Sequence, residues 1–208
     1  MKSKRKECLT NRQLTGTSWP TGRLILVSLV MISGFASLAP LAWCQLSGIT
    51  GYEVKTAFLF NFVKFIDWPP SSFASPQSPF TICVLGQDPF GQMLDDTFQG
   101  KIIADRPLAV RRLKDKAEAR HCQIVFVSSS ESAHLAELFA SLQKANVLLV
   151  GETNGFASLG GTIEFTVEEN HVRFTINIDA ADRSGLQFSS KLLALAKIVH
   201  DEGHSKGG

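Results

Sequence analysis

Cys122-Gln123-Ile124-Val125-Phe126-Val127, running directly into Ser128-Ser129-Ser130-Glu131, is the stretch on which the fold turns. Its apolar run does not alternate with polar residues, and a strand with that pattern is buried on both faces, as in a parallel sheet. The serines and Glu131 have the spacing of a capping box, which predicts a helix to about Lys144. Val147 to Val150 then supplies the next strand.

The same rhythm holds upstream. Phe80-Thr81-Ile82-Cys83-Val84-Leu85 ends at Gly86, and Asp88-Pro89 opens a short helix through Phe98. Pro107 to Leu113 follows as another strand. Repeated strand, helix and strand units predict an α/β fold, a mostly parallel sheet covered by helices on both faces. Beyond Gly151 the pattern alternates instead: Thr162 to Val167 and Val172 to Asn177, joined by Glu168-Glu169-Asn170-His171, predict an antiparallel hairpin that makes the sheet mixed. Leu192, Leu193, Leu195, Ala196 and Val199 have helical spacing, so Ser190 to Val199 is expected as a closing helix.

Tyr52 to Ile66 is the longest helical pattern, stopped by Pro69 and Pro70. Val54, Ala57, Phe58, Asn61, Phe62 and Phe65 make one face, while Leu59, Phe60, Val63 and Ile66 add a second apolar surface. A helix apolar nearly all round is buried on more than one side. Either it is central to its own domain, or Leu59, Phe60, Val63, Ile66 and the following Trp68 meet another subunit or a partner.

The first 44 residues have the layout of a secretory signal peptide. Lys2, Lys4, Arg5, Lys6, Arg12 and Arg23 precede an uncharged run of 15 residues, Leu24 to Leu38, short of the ~20 needed to cross a bilayer. Cleavage before Gln45 is expected. Leu41-Ala42-Trp43-Cys44 resembles a lipoprotein box, but Trp43 stands where that enzyme needs a small residue, so lipid anchoring through Cys44 is not expected. The organisation is then a leader (1–44), a single domain (45–200) and a flexible tail (201–208).

Of 21 basic and 19 acidic side chains, six basic residues and Glu7 lie in the leader, so the 15 and 18 that remain give the mature chain a net charge of −3. Nucleic-acid binding has no electrostatic support. Arg106, Arg111, Arg112, Lys114, Lys116 and Arg120 are interleaved with Asp105, Asp115 and Glu118, which reads as a solvated mixed surface. Cys83 and Cys122 are the cysteines left after cleavage. In an oxidising compartment they suggest one disulfide, with two buried thiols as the alternative.

The loops after the strands carry Gln87, Asp88, Ser128, Ser129, Ser130, Glu152 and Asn154, the makings of a polar cleft for a small ligand; turn chemistry explains the same residues. No catalytic nucleophile with its base, no metal constellation and no phosphate loop is legible, so neither an enzyme nor a cofactor is expected. His200 and His204 lie four apart in the tail. Asp95 and Asp96, being adjacent, point about 100° apart on a helix.

With these residues in view, the chain resembles the YfiR-like family of periplasmic proteins. The likeness runs through Lys55–Pro69, Ile82–Gly86, Asp88–Gly91, Cys122–Phe126 with its serines, Gly155–Ala157, Gly160–Ile163, Val172–Asn177 and Ser189–Leu193. It implies a disulfide between Cys83 and Cys122. A second cysteine pair known in the family has no counterpart near Val147 to Glu152. It also implies a non-catalytic periplasmic protein, often a homodimer, that restrains an inner-membrane diguanylate cyclase and lowers cyclic di-GMP signalling. A periplasmic small-ligand sensor using the cleft is the second expectation.

Overall fold

The computed structural model describes residues 51–201. The leader, Cys44, His204 and residues 202–208 lie outside the described residues. Helix α1 (Gly51–Phe65) leads into a two-residue strand β1 (Ile66–Asp67). Then come β2 (Phe80–Leu85), α2 (Gln92–Phe98), β3 (Ile102–Ile103) and β4 (Arg106–Leu113). After a 3-10 segment (Lys116–His121), β5 (Ile124–Val127) is followed by a second (Ser129–His134), α3 (Leu135–Ser141) and β6 (Leu148–Gly151). The last elements are β7 (Ile163–Glu168), β8 (His171–Asn177), α4 (Ile178–Arg183), β9 (Gln187–Phe188), α5 (Ser190–Leu193) and β10 (Lys197–Val199).

The main sheet has eight strands in the order β10-β8-β7-β6-β5-β2-β4-β3. β4, β2, β5, β6 and β7 run parallel. The expected hairpin β7–β8 is antiparallel, closed by Glu169 and Asn170, both at positive φ, the backbone of a type I′ turn. The fold is therefore the α/β mixed sheet expected from the strand runs. β1 and β9 form a small separate antiparallel sheet.

Side-chain alternation divides the core in two. Phe80, Ile82 and Val84 of β2, Ile124 and Phe126 of β5, and Leu148 and Val150 of β6 face one layer, with Leu59, Phe62 and Val63 of α1, Leu94 and Phe98 of α2, and Leu192 of α5. Cys83, Leu85, Val125, Val127 and Leu149 face the other, with Leu135 and Leu138 of α3 and the Phe156 ring. That ring explains two glycines. A Cβ on Gly151 would stand 2.5 Å from it and one on Gly161 2.1 Å, distances no side chain tolerates.

Several expected elements differ. The helix expected from Asp88-Pro89 starts at Gln92, because Asp88 Oδ1 accepts from the Phe90 N–H and holds an Asx turn. Ser128 does act as a cap, accepting weakly from Ser130 N at 3.5 Å, but the segment it opens is 3-10 and α3 ends at Ser141, short of Lys144. The closing helix expected over Ser190 to Val199 is the largest miss: only Ser190–Leu193 is helical, and Lys197–Val199 pairs in parallel with Thr175–Asn177. The hairpin's free edge offers unpaired backbone groups that a helix would leave idle.

His200 and Asp201, expected at the start of a frayed end, are tied down. Asp201 accepts from Asn177 Nδ2 at 2.7 Å and pairs with Arg183, and its N–H reaches Asp179.

Cys83 and Cys122 form a disulfide across 39 positions, linking β2 to the residue before β5 inside the second core layer. Closing a loop of that length is worth up to about 4 kcal/mol in the chain-entropy account. Replacing both cysteines by Ala, or adding reductant, is expected to lower the unfolding free energy by most of that amount, read as a lower urea midpoint, while keeping the fold. An unchanged midpoint would show that the bridge constrains nothing.

Candidate functional site

α1 crosses the first core layer from the carboxyl ends of the parallel strands to their amino ends, and its own composition decides how it sits. Leu59, Phe62, Val63 and the following Ile66 are buried. Phe62 lies 5.9 Å from Phe165 and 5.4 Å from Phe174 by ring centroids, and Phe58 packs on both as well. The spare face expected at Leu59, Val63 and Ile66 is buried in this chain's own core, in the layer against the sheet. The outward side carries Glu53, Ala57, Lys64 and Phe65, all exposed, while Val54 and Asn61 are half-buried. An almost wholly apolar helix leaves that choice to the sheet beneath it. Of the five residues expected to meet a partner, Phe60 and Trp68 keep partial exposure. Phe60 stands edge-on to Phe98, and Trp68 edge-on to Phe80 at 4.9 Å.

At the other end of α1 a charged pair is enclosed. Lys55 Nζ donates to Glu152 Oε2 at 2.5 Å, with side chains 9% and 11% exposed. The Tyr52 hydroxyl reaches the same carboxylate at 3.2 Å, and the Lys55 ammonium lies 4.4 Å from the Tyr52 ring centroid. A buried ion pair costs desolvation that its attraction need not repay. It fixes the register of α1 against the end of β6, because only this placement satisfies both charges.

The cleft beside this pair, about 440 Å³, is lined by Lys55, Ser129, Glu152, Asn154, Glu164, Phe165, Thr166 and Val167. The structure thus gathers Ser129, Glu152 and Asn154 as the strand-end pattern suggests. Gln87, Asp88, Ser128 and Ser130 serve the loops: Ser130 Oγ accepts from Gln87 N at 3.0 Å, and Asp88 pairs with Arg112 at 2.9 Å. Gly86 is glycine for the same reason, since a Cβ there, at φ +88°, would stand 2.4 Å from Ser130 Oγ.

Sequence reasoning did not place Tyr52, Lys55 or Glu164 at the cleft. The signal lay in a lysine in the first half of a largely apolar helix, three residues after a tyrosine. Glu164, buried, accepts from Gly155 N and Ala157 N at 3.0 Å each and so holds the turn that carries Asn154.

Four of the six basic residues of β4 and its surroundings have partners. Arg112 pairs with Asp88 and Asp95, Arg111 with Glu118 and Lys116 with Glu137, while Arg106 donates to the Ser75 and Ser78 carbonyls. The hydrogen bond from Arg112 holds the Asp95 carboxyl below its usual range. Asp96 accepts from Gln92 instead. Among the described residues no group of three or more His, Cys, Asp and Glu side chains is placed to hold a metal ion. No described helix is long and apolar enough to cross a membrane.

Residues 52–197 match the YfiR/HmsC-like family. The chain belongs to that family, whose members are periplasmic regulatory proteins. Among solved structures it is similar to a conserved domain protein from Vibrio cholerae O1 biovar El Tor, with a TM-score of 0.44 and 12% identity over 57% of this chain and 54% of that one. It is also similar to an ABC domain in complex with L-Trp from Streptococcus pneumonia, with a TM-score of 0.43 and 10% identity over 57% and 55%. The chain spans about half the length of these solved chains.

Tyr52, the single tyrosine of the chain, reports on the pair. Burial first, then the Glu152 charge and hydrogen bond, raise its hydroxyl above the ordinary 10.0. The folded state therefore favours the neutral phenol. This contribution to stability is whole below the unfolded pKa and disappears as pH rises through the folded one. The tyrosinate absorbance of the native protein is expected to titrate above 10.0, and in Glu152→Gln to fall partway back, burial remaining. A midpoint unmoved by that substitution would separate the two groups.

Proposed function

We propose that the mature protein is a periplasmic, non-catalytic regulator that binds an inner-membrane diguanylate cyclase and restrains it, so that cyclic di-GMP output falls. The observation that carries this reading is the family match over residues 52–197, which spans nearly all of the described fold. The leader layout of the first 44 residues supports export. Regulation of this kind needs no reacting group. A protein that binds the inactive state of its partner more tightly than the active state shifts the population by that difference, about tenfold for each ~1.4 kcal/mol. The partner surface lies at the C-terminal end of α1, where Phe60, Phe65 and Trp68 retain exposed area. A homodimer would present this surface twice.

Expression of the exported chain in its host is expected to lower cellular cyclic di-GMP several-fold relative to a strain lacking it, and crosslinking in the periplasm to capture a membrane cyclase. Nucleotide levels indifferent to the chain would refute the reading.

A second reading, a small-ligand sensor, rests on Ser129 and Asn154, exposed beside the Lys55–Glu152 pair in one cleft. A ligand at a hundred times its Kd raises stability by ~2.7 kcal/mol. A metabolite screen by thermal shift is expected to give such a rise, abolished by Asn154→Ala; a library without a hit removes this reading.

A further inference from the structure

At the amino-terminal edge of the sheet two cations have no counter-ion among the described residues. Lys64, in the last turn of α1, and Lys101, between α2 and β3, are exposed. Their ammonium groups lie 4.2 and 5.4 Å from the centroid of one ring, that of Phe60. No carboxylate among the described residues is paired with either; the same holds for several other surface cations, and what sets Lys64 and Lys101 apart is the ring they share.

The helix C-terminus favours a cation at Lys64, but it offers nothing to Lys101, and two like charges drawn to one ring repel each other. Beside them Ile102 is 68% exposed and Phe65 37%. The result is two positive charges gathered at one partly exposed phenyl ring, each next in sequence to an exposed apolar side chain, on a mature chain of net charge −3. Its complement is a single anion carried on an apolar segment.

We infer that Lys64 and Lys101, both at the Phe60 ring and each next in sequence to an exposed apolar residue, Phe65 and Ile102, form the docking point for an acidic segment of the membrane partner, one carboxylate shared by the two ammonium groups. This rests on the regulatory reading and adds to it the chemistry of the partner's contact. A protein segment fits better than a lipid surface, because two lysines fall short of the roughly four to eight basic residues that hold a protein to anionic lipid. The net negative charge also opposes such a surface.

The test uses the full exported chain in its host, with cyclic di-GMP as the readout, and the purified mature protein with phosphatidylglycerol vesicles. Lys64→Glu with Lys101→Glu is expected to weaken repression roughly tenfold, with periplasmic level and melting temperature unchanged. Lys64→Arg with Lys101→Arg is expected to repress as the unaltered chain does. Should the double reversal disturb folding, Lys101→Glu alone, in a turn, reads the same contact. Full repression by the glutamate pair overturns the inference while leaving the regulatory reading intact. So does loss of repression by the arginine pair, or vesicle binding that the glutamate pair abolishes, which would assign the two lysines to lipid. If the unaltered chain leaves cyclic di-GMP unchanged, the regulatory reading falls and the inference with it.

Discussion

Every residue of β2, β5 and β6 is withdrawn from water, and that two-sided burial is the constraint on which the rest of the molecule depends. A sheet apolar on both faces must be covered on both. One cover is built from α1, α2 and α5, the other from α3, the 3-10 segments and the Phe156 ring. The disulfide sits within the second cover, where the helical layer is thinner, and ties the central strand to the loop that enters β5.

Because α1 spends its apolar surface on the sheet, the surface it leaves outside is limited and located. The buried Lys55–Glu152 pair settles its position at one end, and aromatic packing of Phe58 and Phe62 on β7 and β8 settles its roll. Five of the other described cations, Lys55, Arg111, Arg112, Lys116 and Arg183, are held in local ion pairs. Lys64 and Lys101 are set apart by sharing one ring, that of Phe60, at the end of the helix where partly exposed aromatic side chains remain. A regulator that acts by binding needs a place of this kind more than it needs a reactive group.

Much of this was legible in the residue order. The central strands declared themselves through unbroken apolar runs, the hairpin through alternation flanking a polar turn, and the paired cysteines through their number after the leader is set aside. Ser129, Glu152 and Asn154 fell together because strand ends in a parallel sheet share one rim. Lys55 escaped notice there because its partner is 97 positions away, a separation no local pattern encodes.

What the sequence by itself determined was which segments are strands buried on both sides and which are helices, since periodicity reflects the local surroundings of each segment. Which face of α1 looks inward was decided by the tertiary structure. Leu59, Phe62, Val63 and Ile66, which are buried, differ little in hydropathy from Val54, Phe60 and Phe65, which keep exposed area, and only the shape of the sheet beneath distinguishes the two sets. The same holds for Lys197–Val199, whose helical spacing was overruled by the open edge of β8: backbone hydrogen bonds waiting on a neighbouring strand outweigh a weak local preference.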